Sequence, residues 1–144
     1  MDGSWYNVLM TDCIFCKIVA GEIPSYKIYE DEKYLAFLDI SQISNGHALV
    51  VPKKHYRYVW DIEDAGGFFS LVQKIAKHMQ TVTGKESVMS VAIGEMVPHA
   101  HMHLVPDTEG NRNGIFKKWD ETLRMRKLVP EEMEFIRKRF QLTE

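Results

Sequence analysis

Two cysteines in a chain of 144 residues are too few for a disulfide framework, and in a reducing setting such a pair points to metal or redox chemistry first. Basic residues are not in excess: 18 Lys+Arg stand against 20 Asp+Glu, a formal charge of −2. That balance says little about partners beyond making nucleic acid unexpected, since a dedicated nucleic-acid binder is usually basic. Long apolar runs are missing too. The longest, Tyr34 to Leu38, is far short of the ~20 residues a membrane helix needs. The N-terminus has neither a basic leader nor an apolar core segment, so a signal peptide is not expected and a cytoplasmic protein is. Internal repeats and low-complexity tracts are absent. What is present, 45% hydrophobic and 26% charged residues, suits one globular domain with its own core.

Residues 1–10 show no clear period and read as an N-terminal extension ahead of a single domain over 11–144. Thr11 or Asp12 can cap a short helix through Cys13, Phe15, Cys16 and Ile18, which Gly21 and Pro24 end. Strand-like segments follow at Tyr26–Tyr29, Tyr34–Asp39 and His47–Val51. Beyond Asp61 the period changes. Phe68, Leu71, Val72, Ile75, Met79 and Val82 recur three or four residues apart, predicting a main helix over Asp64–Val82 that Gly84 ends. Two more strands are expected at Val88–Ile93 and His99–Val105. Pro130 suits the first turn of a C-terminal helix, with Glu131, Glu132 and Glu134 early and Arg137, Lys138 and Arg139 late. The order predicts an α+β domain: a five-stranded antiparallel sheet with one main helix, a short N-terminal helix and a C-terminal helix. Residues 112–144 are mildly basic, as a solvated amphipathic helix would be.

The densest chemistry lies in Pro98-His99-Ala100-His101-Met102-His103-Leu104-Val105-Pro106. In extended chain, alternate residues share a face, so the three histidines line one side while Ala100, Met102 and Leu104 enter the core. A polar outer face would need only one histidine. A catalytic zinc on all three is chemically sound, but outer Cα atoms about 13 Å apart make convergence on one ion difficult unless the strand bends.

This segment resembles the signature of the histidine triad (HIT) superfamily, whose members bind nucleotides and hydrolyse or transfer nucleotidyl groups. Matching segments occur in order: Asp12-Cys-Ile-Phe-Cys-Lys-Ile18, Gly21-Glu-Ile-Pro24, Ala36-Phe-Leu-Asp-Ile40 and Gly46-His-Ala-Leu-Val-Val-Pro-Lys-Lys-His55. The resemblance covers residues 11–106 and no motif transfers to the tail at 107–144. It implies a HIT-like fold in which His101 attacks the α-phosphate of a nucleotide, its other ring nitrogen donating to a backbone carbonyl. His103 and His47 would flank the phosphate as donors, with no catalytic metal required. Asp39 matches a ribose-binding aspartate, though a carboxylate closing a strand is also a common turn residue. Phe15, Ile18, Phe37, Leu38 and Ile40 match an apolar nucleobase wall, although for each taken singly plain core packing is the better expectation.

Cys13 and Cys16 form a C-x2-C pair whose flanks lack a thioredoxin-like βαβ pattern. By resemblance to bacterial-type members, Cys13, Cys16, His55 and His99 would hold a structural zinc in a closed four-ligand site; two reduced core cysteines are the alternative. His78 matches nothing and reads as a surface residue. One departure stands out. Where many family members have Gly-Gln-Ser or Gly-Gln-Thr beside the phosphate, this chain has Gly94-Glu95-Met96. A carboxylate there would repel a phosphate, so Glu95 must turn away, pair with a cation or be protonated, and Met96 offers only its backbone N–H.

The resemblance implies a homodimer and hydrolysis at the α-phosphorus of a purine nucleotide conjugate, either a phosphoramidate or a dinucleoside polyphosphate. A nucleotide- or partner-binding module with little turnover and a zinc hydrolase using the triad remain as alternatives.

Overall fold

The structure is a computed structural model and describes residues 12–107 and 128–143. The expected extension over 1–10 and most of the tail lie outside them. Thr11, one of the two expected helix caps, does too.

The first helix, α1, spans Ile14–Val19 and is capped not by Asp12 but by Cys13, whose Sγ accepts from the Cys16 N–H at 3.4 Å. Strands β1 (Lys27–Glu30), β2 (Tyr34–Leu38) and β3 (Ala48–Pro52) follow, then a 3-10 turn over Val59–Asp61 and helix α2 over Ala65–Thr83. Strands β4 (Val88–Val91) and β5 (Met102–Pro106) and helix α3 (Pro130–Phe140) complete the described elements. The five strands form one antiparallel sheet in the order β1-β2-β3-β5-β4, with the three helices expected.

The boundaries of α2 follow from its ends. Asp64 accepts from the Gly67 N–H at 3.0 Å, and Gly84 leaves the helix at φ +68°, a left-handed conformation that glycine adopts without a Cβ clash. The β1–β2 turn is held by Asp31, whose Oδ1 accepts from the backbone N–H groups of Lys33 and Tyr34, both at 2.8 Å.

Every residue of β2 and β3 is buried, because helices cover both faces of the sheet and an apolar run, not an alternation, satisfies them. On one face Tyr34, Ala36, Leu38, Ala48, Val50, Met102 and Leu104 pack under α2 and α3 against Phe68, Ile75, Met79 and Phe140. On the other, Leu35, Phe37, Leu49 and Val51 meet Cys13, Phe15 and Ile18 from α1. The α3 helix is tied back by the Leu142 N–H on the Ile28 carbonyl at 2.8 Å. His78 is half-buried and its Nε2 lies 3.1 Å from the Gln141 carbonyl, so it bridges α2 to the end of α3 and is not a plain surface residue.

The expected strand over His99–Val105 begins only at Met102, and that over Val88–Ile93 ends at Val91. The side chains alternate as predicted, but the backbone bonds of the preceding stretch go to loops. His99 N–H donates to the Val97 carbonyl at 2.9 Å and Ala100 N–H to that of Tyr56 at 2.7 Å.

Candidate active site and metal centre

The sheet positions the triad in its middle. His103 lies on β5, opposite Leu49 of β3 and Val91 of β4, and His99 and His101 precede it on the face that α1 covers. Phe15 stands edge-on to the rings of His101 and His99, with centroids 5.1 and 5.9 Å apart.

His101 is buried. Its Nδ1 is 2.7 Å from the His99 carbonyl, an oxygen that can only accept, so the proton sits on Nδ1 and Nε2 keeps its lone pair. Burial holds the ring below the ordinary histidine pKa. The His99 carbonyl and Asp39 oppose that shift and Arg57 adds to it.

His103 Nδ1 and His47 Nε2 are 3.0 Å apart, and His47 Nδ1 is 3.2 Å from the Ser41 carbonyl. Ile43 N–H also faces His47 Nδ1, at the longer 3.4 Å; the shorter Ser41 contact favours the tautomer in which His47 donates to Ser41 and accepts from His103. Burial, then the neighbouring His47 and His101, push His103 down to about 3, and burial also lowers His47 against the pull of Asp39. His47 is only 2% exposed. It packs against His103, the ring that it contacts through Nε2.

Asp39 divides its carboxylate. Oδ1 accepts from the Ser41 N–H at 2.8 Å, while Oδ2 faces His47 Nε2 at 3.7 Å and His103 Nδ1 at 4.0 Å. One oxygen thus serves the turn while the other faces the histidine pair. The loop around it is stapled by Gln42, which sequence reading missed. Its Nε2 donates to the carbonyls of Asp39 and His47 and its Oε1 accepts from the Gly46 N–H.

Of the expected nucleobase wall, Phe15, Ile18 and Phe37 share one apolar cluster on the triad's face. Leu38 does not belong there: it is one residue on from Phe37, so the strand alternation sends it into the core under α2. Ile40 is 56% exposed. Glu95 is exposed and Met96 is 82% exposed, on the turn that follows β4.

Cys13, Cys16, His55 and His99 bring their candidate ligand atoms within 4.8 Å of one another. Cys13 Sγ is 3.3 Å from His99 Nδ1, and Cys16 Sγ is 3.2 Å from His55 Nδ1 and 3.4 Å from His99 Nδ1. A tetrahedral zinc with Zn–S of about 2.3 Å and Zn–N of about 2.0 Å sets neighbouring donor atoms roughly 3.5 Å apart, so the four residues fit such an ion. His99 Nε2 lies 2.7 Å from the Pro52 carbonyl, an outer bond that turns Nδ1 inward, as ligating histidines require. Cys13 and Cys16 are free thiols. The triad itself makes no common metal site, because His99 faces the cysteines, His101 its backbone acceptor and His103 His47.

Residues 20–110 match the HIT domain family. The chain belongs to that family. Its HIT domain is 43% identical over 115 residues to "Protein hit" of Bacillus subtilis, spanning 75% of this chain and 79% of the relative. It is 36% identical over 110 residues to an adenosine 5'-monophosphoramidase of Saccharomyces cerevisiae, spanning 74% and 69%. Among solved structures, a zinc-bound histidine triad family protein from Mycobacterium smegmatis superposes with a TM-score of 0.66 at 25% identity, over 91% of this chain and 94% of that one.

Proposed function

We propose that this HIT domain hydrolyses purine nucleotide conjugates at the α-phosphorus through a nucleotidyl intermediate on His101. The observation that carries the reading is the bond from His101 Nδ1–H to the His99 carbonyl, which leaves Nε2 as a buried, unprotonated nucleophile beside a carboxylate and two further histidines. In the first step Nε2 bonds to phosphorus and the bond to the leaving group breaks, the electron pair departing with that group. The ring then carries a positive charge, which the Nδ1–H bond to His99 stabilises. In the second step water attacks phosphorus, the P–Nε2 bond breaks, and the nucleoside monophosphate leaves with a proton passing to solvent. The negative charge of a bound α-phosphate favours protonation of the His47–His103 pair, turning His103 into a donor that can give its proton to a departing amine.

Asp39 Oδ2 is the acceptor for ribose hydroxyls, and Phe15, Phe37 and Ile18 form the apolar side of the pocket. The activity named for the yeast relative supports the reaction class. Cys13, Cys16, His55 and His99 would hold a structural zinc, an ion that cross-links α1 to the segment ahead of β5 and leaves no position open for substrate. The zinc-bound Mycobacterium smegmatis relative supports that assignment. A single HIT domain over 11–144 in a reducing cytoplasm, where both thiols stay available, completes the reading. So does a homodimer, since β4 is an edge strand bordered by exposed Tyr58, Trp60, Ile93 and Met96.

The test is AMP release from adenosine phosphoramidate and a diadenosine polyphosphate by the protein and by His101→Ala. Release that vanishes in the variant supports the hydrolase. AMP binding with no release from either substrate would favour a binding module.

A further inference from the structure

The Gly94-Glu95-Met96 turn brings no side-chain amide or hydroxyl to the β4 side of the site, and a different side chain is found there. Arg57 follows the candidate zinc ligand His55 by two residues. The Ala100 N–H bond to the Tyr56 carbonyl, at 2.7 Å, fixes its segment directly beside the nucleophile. Its Nη1 donates to the Gly94 carbonyl at 2.6 Å, and its guanidinium lies over the Tyr58 ring, 4.2 Å from the centroid. Gly94 has φ +74°, and a Cβ there would meet the Tyr58 ring at 3.2 Å and Arg57 Nη1 at 3.7 Å. The turn thus passes close against the stacked pair. Arg57, Tyr58, Gly94 and His101 line one cleft.

The sheet order separates the two ends of a substrate. Asp39 follows β2 and His47 precedes β3, on one side of β5, whereas Gly94 follows β4 on the other. Were ribose to sit at Asp39 and the reacting phosphorus at His101, Arg57 would stand on the far side of phosphorus from the ribose, in the cleft that it shares with His101. A guanidinium carries five N–H donors in a planar fork, and the Gly94 carbonyl takes one.

We propose that Arg57 receives the leaving group and makes the enzyme selective for conjugates whose leaving group is an oxyanion, such as sulfate, phosphate or polyphosphate, over those that release a neutral amine. Negative charge grows on the departing oxygen as its bond to phosphorus breaks, so a fixed cation stabilises that transition state more than the bound substrate. A departing amine ends uncharged once protonated and gains little from the same cation. This inference rests on His101 as nucleophile.

The experiment measures kcat/KM of the full chain for adenosine 5'-phosphosulfate and for adenosine 5'-phosphoramidate, in wild type, Arg57→Gln, Arg57→Lys and His101→Ala. Loss of charge-assisted hydrogen bonds predicts a fall of about 10- to 100-fold for the phosphosulfate in Arg57→Gln. A smaller fall for the phosphoramidate is expected, so the ratio of the two changes at least severalfold. Arg57→Lys keeps the charge without the fork, and its ratio should lie between. Thermal melting identifies a variant that fails to fold, in which case the lysine variant decides. Equal losses on both substrates, or an unchanged ratio, would overturn the role of Arg57. Retention of both activities in His101→Ala would instead overturn the reading on which it rests.

Discussion

His101 Nδ1–H donates a hydrogen bond to the backbone carbonyl of His99, while the ring of His99 lies against Cys13 and Cys16. One residue thus serves two sites, its side chain facing the candidate metal centre and its main chain orienting the candidate nucleophile. The 2.7 Å bond makes the position of that carbonyl matter to the chemistry.

Metal content and activity should therefore separate in one direction only. Cys13→Ser is expected to lose zinc and, through the displaced His99 carbonyl, to lower kcat roughly tenfold. His101→Ala should keep one zinc per chain with no turnover. Metal analysis of the two purified variants, beside steady-state assays, checks this. Zinc retained by Cys13→Ser but lost by His101→Ala would contradict it.

The acid limb of the pH–rate profile should fall below the ordinary histidine value of about 6.5. Burial lowers the pKa of His101, so the reactive neutral ring persists to lower pH and activity is lost as pH drops through its folded value. Stability has the same sign. His103, held down to about 3, stays neutral while the unfolded chain takes up a proton, so stability present above pH ~6.5 declines toward that value. Denaturant unfolding at pH 7.5 and pH 5 measures the difference.

Asp39→Asn keeps an oxygen for the Ser41 N–H bond but removes the charge facing the histidine pair and the ribose hydroxyls. KM is expected to rise about tenfold, the worth of one charged hydrogen bond, with the melting temperature nearly unchanged. A variant that melts early with normal KM would make Asp39 a turn residue alone.

Gly46→Ala should be costly despite its small size. Gly46 sits at φ +103°, where an L side chain is strained, and a Cβ would run into the ring of fully buried Phe140. Backbone strain and overpacking together predict about 2–4 kcal/mol of destabilisation, read by urea unfolding.

Much of this was legible beforehand because the signals are local. The Asp64 cap and Gly84 stop placed α2 to within a residue at each end, and the alternation His99-x-His101-x-His103 correctly put Ala100, Met102 and Leu104 in the core. Alternation reports side-chain direction and not ladder bonding, so it starts the strand at His99, three residues before the ladder begins at Met102. Of Phe37 and Leu38, which both match the apolar wall, the structure places Phe37 on the triad's face and Leu38 in the core under α2, a difference that an apolar run covered on both faces does not mark in sequence. Arg57 and Gln42 escaped notice for another reason. Their partners, Gly94 and the main chain of residues 39–47, are backbone groups that leave no trace in sequence.

The most direct test of the central claim is to look for the covalent intermediate. Protein mixed with excess adenosine 5'-phosphoramidate and quenched in alkali within the first turnovers is analysed by intact mass and peptide mapping. The account predicts a species heavier by one adenylyl group, with the label on His101 and absent from His101→Ala. Turnover at full rate with no adenylylated histidine at any quench time, or a label on His103 or His47 instead, would contradict it.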